Sequence, residues 1–182
     1  MAVAPTTPVI SEEEYLRTNY DPECEFIDGI LISKAMPKTL HSRLQGLLVL
    51  LLMSQEKQLG IMVYPELRIR IRERVYRVPD LSVFVEPPNG EIPTNPPYIT
   101  FEVLSETETL EEISAKVKDH HRMGVQTVMV ANPHRKEVFV AGTDGLLHEL
   151  GSPARIAVPL PNGSILDLNF DELFDGLSKQ HC

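Results

Sequence analysis

Two carboxylates stand in apolar, strand-like runs: Asp80, directly after Pro79 in VYRVPDLSVFVE, and Glu102, between Phe101 and Val103 in YITFEVLS. Residues two apart in a strand share a face. Asp80 is therefore expected to point away from Leu81, Val83 and Val85, and Glu102 away from Ile99, Phe101 and Val103. If the two segments are neighbouring strands, both acids reach one side of a sheet, and such a pair of oxygen donors suits a hard divalent cation. With a lysine nearby the chemistry would be phosphodiester hydrolysis. Carboxylate-held metal activates water and offsets charge on the phosphate, and an ammonium steadies the same charge. The plainer alternative makes Pro79-Asp80 a strand entry, where proline is tolerated, with Glu102 satisfied by arginines of the preceding strand.

The elements that must position these residues are legible in turn. The proline-rich PPNGEIPTNPP joins the two acidic strands, and Glu108 to Met123 reads as an amphipathic helix ending at Gly124, with Leu110, Ile113 and Val117 as its buried stripe. Lys116 shares a flank with Ile113 and His120, while Lys118 falls on the opposite flank. Glu112, four before Lys116, offers it a surface ion pair instead, so periodicity leaves the two lysines open. IMVYPELRIRIRE has a period of two, with Ile61, Val63, Leu67, Ile69 and Ile71 on one face and Glu66, Arg68, Arg70 and Arg72 on the other, Arg74 and Arg77 lying just beyond. That basic strip reads equally as a charge-paired sheet face or as a contact for phosphates.

Upstream, Ser11 with Glu14 opens a short helix in the capping-box pattern, stopped by Asp21-Pro22. ECEF-IDGI-LIS is a hairpin signal around Asp28-Gly29, with Glu25 reading as a solvated strand position. Thr39 to Leu59 reads as a long helix closed by Gly60, apolar on nearly every side and so buried all round, in a core or a subunit contact. His41, near its start, reads as a surface or capping residue rather than a ligand. Downstream, VQTVMVA has the continuous apolar pattern of a strand buried on both faces. Hairpins are expected around Asp144-Gly145 and Asn162-Gly163, and Asn169 with Glu172 caps a last short helix. A helix between strands, followed by hairpins, gives a mixed α/β domain.

Composition bounds the partners. At 182 residues with 42% hydrophobic content, the chain fits one globular domain over 1–182, with residues 1–9 as a loose arm. A formal net charge of -9 argues against avid non-specific nucleic-acid binding while leaving local basic patches open. Cys24 and Cys182 have no metal-ligand spacing and suggest no disulfide framework, so a reducing cytoplasm is the simplest location. MAVAPTTPVISEEEY lacks the basic and apolar regions of a signal peptide, and LLVLLLM at Leu47 to Met53 is too short to span a bilayer.

The ordered series CEFIDG, His41 opening a leucine-rich helix, YPELRIRI, RVPDLSVFV, ITFEVLS and Lys116 eight residues before Gly124-Val125 resembles the Uma2 family. That family, formerly a domain of unknown function, is described as "putative restriction endonucleases" with a PD-(D/E)XK nuclease fold. The resemblance covers nearly the whole chain. It implies a restriction-endonuclease-like α/β core, a mixed central sheet flanked by helices with additional hairpins. It also implies Asp80 and Glu102 as metal ligands, the Val103 carbonyl as a third, Glu66 as a further acidic position and Lys116 as the site lysine. In the wider superfamily the lysine stands two after the acid, where this chain has Leu104. Glu25 and His41 match characteristic positions of the family, and His120 stands where it usually has tyrosine. The resulting expectation is a cytoplasmic, homodimeric, Mg²⁺-dependent DNA endonuclease with Mn²⁺ as a substitute and Arg68, Arg70 and Arg72 on the phosphates. The rival from another class is a non-catalytic binding or assembly module on the same fold. A small-molecule hydrolase using the same metal pair has only the acidic balance behind it.

Overall fold

The computed structural model describes residues 9–142 and 144–178. All but the last residue of the expected N-terminal arm, and Cys182, lie outside them. The hairpin β1 (Cys24–Ile27) and β2 (Ile30–Ser33) pairs Ile27 with Ile30. Its turn residues Asp28 and Gly29 both take positive φ, 49° and 99°, as a two-residue type I′ connection requires. β1 continues into a four-stranded sheet, β2-β1-β5-β4, with β4 at Ile69–Arg72 and β5 at Val75–Arg77. A six-stranded sheet has the order β10-β9-β8-β7-β6-β3. Its strands are β3 (Met62–Pro65), β6 (Leu81–Phe84), β7 (Ile99–Val103), β8 (Thr127–Asn132), β9 (Glu137–Ala141) and β10 (Leu147–Glu149). Among the described residues only β7 and β8 pair in parallel, bridged by helix α3 (Leu110–Met123), which makes the sheet mixed.

Two expected strands are each broken in two. IMVYPELRIRIRE divides into β3 and β4, and VYRVPDLSVFVE into β5 and β6, with the halves in different sheets. The local reasons are visible. Pro79 has no N–H to continue a ladder, and Glu66 sits at φ 51°, outside the extended region. The two breaks lie side by side, the Glu66 amide donating to the Asp80 carbonyl at 3.2 Å. Both acids therefore stand at the seam between the sheets.

Alternation then sorts the sheet's two faces. Leu81, Val83, Ile99, Phe101, Val103, Met129 and Ala131 pack with Leu44, Leu48 and Leu52 of helix α2 (Thr39–Leu59), with the hairpin β11 (Arg155–Pro159) and β12 (Ile165–Asn169), and with α4 (Phe170–Ser178). Each of those three fully buried leucines contributes about 1.5–3 kcal/mol. Helix α2 is not buried all round, however: Leu50 is 69% exposed and Met53 42%. On the opposite face Ile113 and Val117 of α3 cover Val128 and Val130. Ile69, Ile71 and Val75 of the small sheet meet Phe84 of the large one, with Met123 against them. On the small sheet's other side Tyr15, from α1 (Glu12–Arg17), packs against Phe26 and Tyr76.

Candidate active site

Asp80 directly precedes β6 and Glu102 lies within β7, and the register Leu81↔Phe101 sets the two acids opposite each other. Glu102 points away from the α2 core, toward Lys116 and His120 of α3, as alternation requires, while the Asp80 side chain at the strand's entry lies among Lys34, His41 and the Val103 amide. Asp80 is 2% exposed. One of its oxygens accepts from the Val103 amide at 2.6 Å; the other accepts from Lys34 Nζ at 2.8 Å and has His41 Nε2 at 3.6 Å. Glu102, also 2% exposed, accepts from Lys116 Nζ at 3.2 Å and meets His120 Nε2 at 2.8 Å. Each buried acid thus has one lysine and one histidine.

A capping box fixes α3: Thr109 accepts from the Glu112 amide, and the Glu112 carboxylate accepts from the Thr109 amide at 2.7 Å. This occupies Glu112, the surface partner that Lys116 had open to it. Lys116 instead reaches inward to Glu102 and to Glu108 at 2.8 Å, while Lys118 is exposed. The helix is tied down further by Arg77, which donates to Asp119 at 2.7 and 2.9 Å and to Glu25 at 2.6 Å. Glu25 is no solvated strand residue. It is 1% exposed, because Arg77 and the Val78 amide at 3.1 Å satisfy it. His41 is likewise drawn inward, to Asp80, and its Nδ1 is buried without a partner.

The electrostatics follow from burial set against pairing. Burial pushes the Asp80 carboxyl up, but His41 and the Lys34 ammonium outweigh it and hold it far below the usual carboxylate range. Burial likewise raises Glu102, and Lys116 and His120 pull it net downward. Burial disfavours charge on both lysines, yet the surrounding carboxylates hold each well above its ordinary value. His41 is raised too, the Asp80 contacts exceeding its desolvation. All four principal groups are held charged.

They gather at a cavity of about 330 Å³ whose walls include Glu25, Lys34, His41, Arg77, Asp80, Val103, Glu108 and Lys116. Glu102 stays off the wall, behind Lys116 and His120. Glu66 is partly exposed at the edge, accepting from Lys34 at 2.6 Å and from Gln45 at 2.8 Å. Arg68, Arg70 and Arg72 do not line the cavity. Arg68 lies over the Tyr15 ring at 4.5 Å and pairs with Glu23, Arg70 pairs with Glu12, and Arg72 pairs with Asp28. Arg77, grouped with them by sequence, is 4% exposed and belongs to the site instead. Lys34 and Glu108 escaped sequence reasoning. Lys34 sits in an irregular segment, where no periodicity assigns a side chain to a face, and Glu108, expected as the first residue of the helix, lies just before α3.

The donor chemistry fits a hard divalent cation. Asp80, Glu102 and the Val103 carbonyl offer oxygen only, as Mg²⁺ prefers. Glu25, Glu66, Asp80, Glu102, Glu108 and Asp119 are set against Lys34, Arg77 and Lys116; even with Arg122 reaching Asp119 from outside, acids are in excess. Among the described residues no three acidic, histidine or cysteine side chains already stand in ligating geometry. No helix among them is long and apolar enough to cross a membrane.

Comparison with known proteins bears on the fold and the family. No curated protein matches the chain. Among solved structures, a "putative nuclease belonging to DUF820" from Anabaena variabilis is 28% identical, with a TM-score of 0.79 over 92% of this chain and 99% of that one. The mixed sheet with its flanking helices is thus consistent with the restriction-endonuclease-like fold. A family model described as "Putative restriction endonuclease" matches residues 12–163, most of the sequence, and the chain belongs to that family, Uma2.

Proposed function

We propose that this protein hydrolyses phosphodiester bonds in DNA with Mg²⁺, Mn²⁺ serving as a substitute. The observation that carries this reading is the convergence of Asp80, the Val103 backbone and Lys116 on one cavity, with Glu102 held directly by Lys116. Asp80, Glu102 and the Val103 carbonyl would hold the cation, with Glu66 as an additional acidic neighbour. When bound, the cation supplies Lewis-acid activation of water and charge compensation at phosphorus. Lys116, kept protonated by Glu102 and Glu108, offers an ammonium to the charge that develops on a phosphate oxygen. Arg77 and Glu25 fix the tilt of α3, and so the height of Lys116 above Glu102. The geometry lends no support to phosphate contacts by Arg68, Arg70 and Arg72, since acids neutralise all three outside the cavity.

The exposed Leu50 and Met53 on α2 support a homodimer as part of this reading, which sedimentation of the full chain tests. Nicking of plasmid, branched and single-stranded DNA with Mg²⁺ or Mn²⁺ tests the activity itself; unchanged cleavage by Asp80→Ala defeats the assignment. One observation favours a second reading, a nuclease fold retained for binding or assembly. Every buried acid at the cavity is already matched by a protein cation, imidazole or amide. Calorimetric titration showing no Mg²⁺ or Mn²⁺ bound at millimolar concentration would select it.

A further inference from the structure

We propose that Lys34 is a resident cation of this site, its ammonium holding the position between Glu66 and Asp80 for which a divalent ion must compete. The inference rests on the metal-dependent reading above. Lys34 Nζ donates to Glu66 Oε2 at 2.6 Å, to Asp80 Oδ1 at 2.8 Å and to the Val78 carbonyl at 2.9 Å. All three of its protons are thereby used, and every partner is an oxygen. The side chain is 14% exposed, so this is a lodged group rather than a surface lysine folded over.

A cluster of two carboxylates and a carbonyl about one positive centre is the ligand set of a hard cation, built here around nitrogen. The ammonium–oxygen distances exceed the roughly 2.0–2.1 Å that Mg²⁺ demands. An ion entering between the same oxygens must therefore draw them inward after the ammonium has left. Lys116 differs: it ties Glu102 to Glu108 and touches neither Asp80 nor Glu66.

Departure of Lys34 needs no rearrangement of a ladder. It follows the last residue of β2 in a segment, 34–38, without helix or strand, and a rotation of its own stem is enough. Lys34 also lines the cavity, so a released ammonium stays on the wall that a phosphate would face. Without a bound ion it offsets the buried Asp80 charge; with one it becomes a second basic group beside Lys116. The cost of displacing it sets the metal affinity.

The test is titration of Mn²⁺, by calorimetry and by loss of the free-ion paramagnetic resonance signal, into the full-length protein and its Lys34→Met, Lys34→Gln and Lys34→Arg variants. Glutamine keeps a donor for the acids without a charge, which guards against misfolding of the methionine variant. Removal of the competing charge is expected to tighten Mn²⁺ binding by about tenfold or more in Lys34→Met and Lys34→Gln, and Lys34→Arg is expected to stay within about twofold of the natural protein. Mn²⁺ should also raise the melting temperature of the uncharged variants more than that of the natural chain. Equal affinity across all four proteins overturns the inference and leaves the metal-dependent reading standing. Weaker binding in the uncharged variants overturns it too, making Lys34 a support of the site rather than a competitor. No Mn²⁺ binding by any of the four overturns both.

Discussion

Two regions of this molecule are built from the same ingredients and behave differently. At the seam between the sheets, Lys34, Arg77 and Lys116 pair with Asp80, Glu25, Asp119 and Glu102. Along β4 and the residues before it, Arg68, Arg70 and Arg72 pair with Glu23, Glu12 and Asp28. In the first set every side chain is at most 14% exposed; in the second they range from 19% to 51%. Water screens the second set, and its pairs add little. The first set is largely buried, so loss of one partner leaves a poorly compensated charge in a low dielectric. Alternating charge along a strand therefore does not distinguish a site from a surface. Burial at a cavity does.

The sharpest way to break that comparison is Arg77→Met. It leaves buried Glu25 without a cation and Asp119 with Arg122 alone, and is expected to cost about 3–5 kcal/mol in urea denaturation; a loss below about 1 kcal/mol would place the seam with the surface pairs. Next comes Lys116→Met, expected to reduce DNA nicking by about 10²–10³-fold. Because this variant leaves buried Glu102 with His120 alone, circular dichroism and urea denaturation are run beside it to separate lost chemistry from lost fold.

Third is acid. Asp80 and Glu102 are held below their ordinary values in the folded chain. The stability they contribute is full above their unfolded values near pH 4 and is lost as the pH falls toward the folded ones. Denaturation midpoints at pH 7, 5, 4 and 3 should hold or rise slightly from 7 to 5, as the raised His41 takes up its proton beside Asp80, and then drop. A midpoint that did not fall between pH 5 and pH 3 would mean that these carboxylates gain nothing from their lysines and histidines. The smallest effect belongs to Arg72→Ala. Its pair with Asp28 lies open to solvent, and neither melting temperature nor nicking should change measurably. Lost nicking would return the strip to consideration as a DNA surface.

Much of the seam was legible before any coordinates. That the Asp80 and Glu102 segments are strands follows from their alternation and apolar content, and the Asp28-Gly29 turn from its residue types, whereas the pairing of the two strands is a condition that the structure meets. Lys116 was separable from Lys118 only by the family resemblance. The structure shows why: both turn on whether Glu112 is spent on Thr109, a capping detail that periodicity does not contain. The two broken strands were missed for a related reason. IMVYPELRIRIRE keeps its period of two across the break, with Val63 buried in one sheet's core and Ile69 in the other's interface. A pattern that marks a buried face cannot say which sheet the face belongs to. Glu25 and His41 read as solvent-facing because their partners, Arg77 and Asp80, lie 52 and 39 positions away by subtraction of their residue numbers. Lys34, in an irregular segment, offered no pattern at all.

The sheet-to-sheet passages at Glu66 and Asp80 have a mechanical consequence. The backbone travels between the two layers twice within a few ångströms, and each transit carries an acidic residue on a stretch outside either ladder. Tilting one layer against the other would flex these joints before it stretched any inter-strand bond. Such a tilt would register first in the spacing of Lys34, which follows β2 of the smaller layer, and Asp80, which enters the larger one.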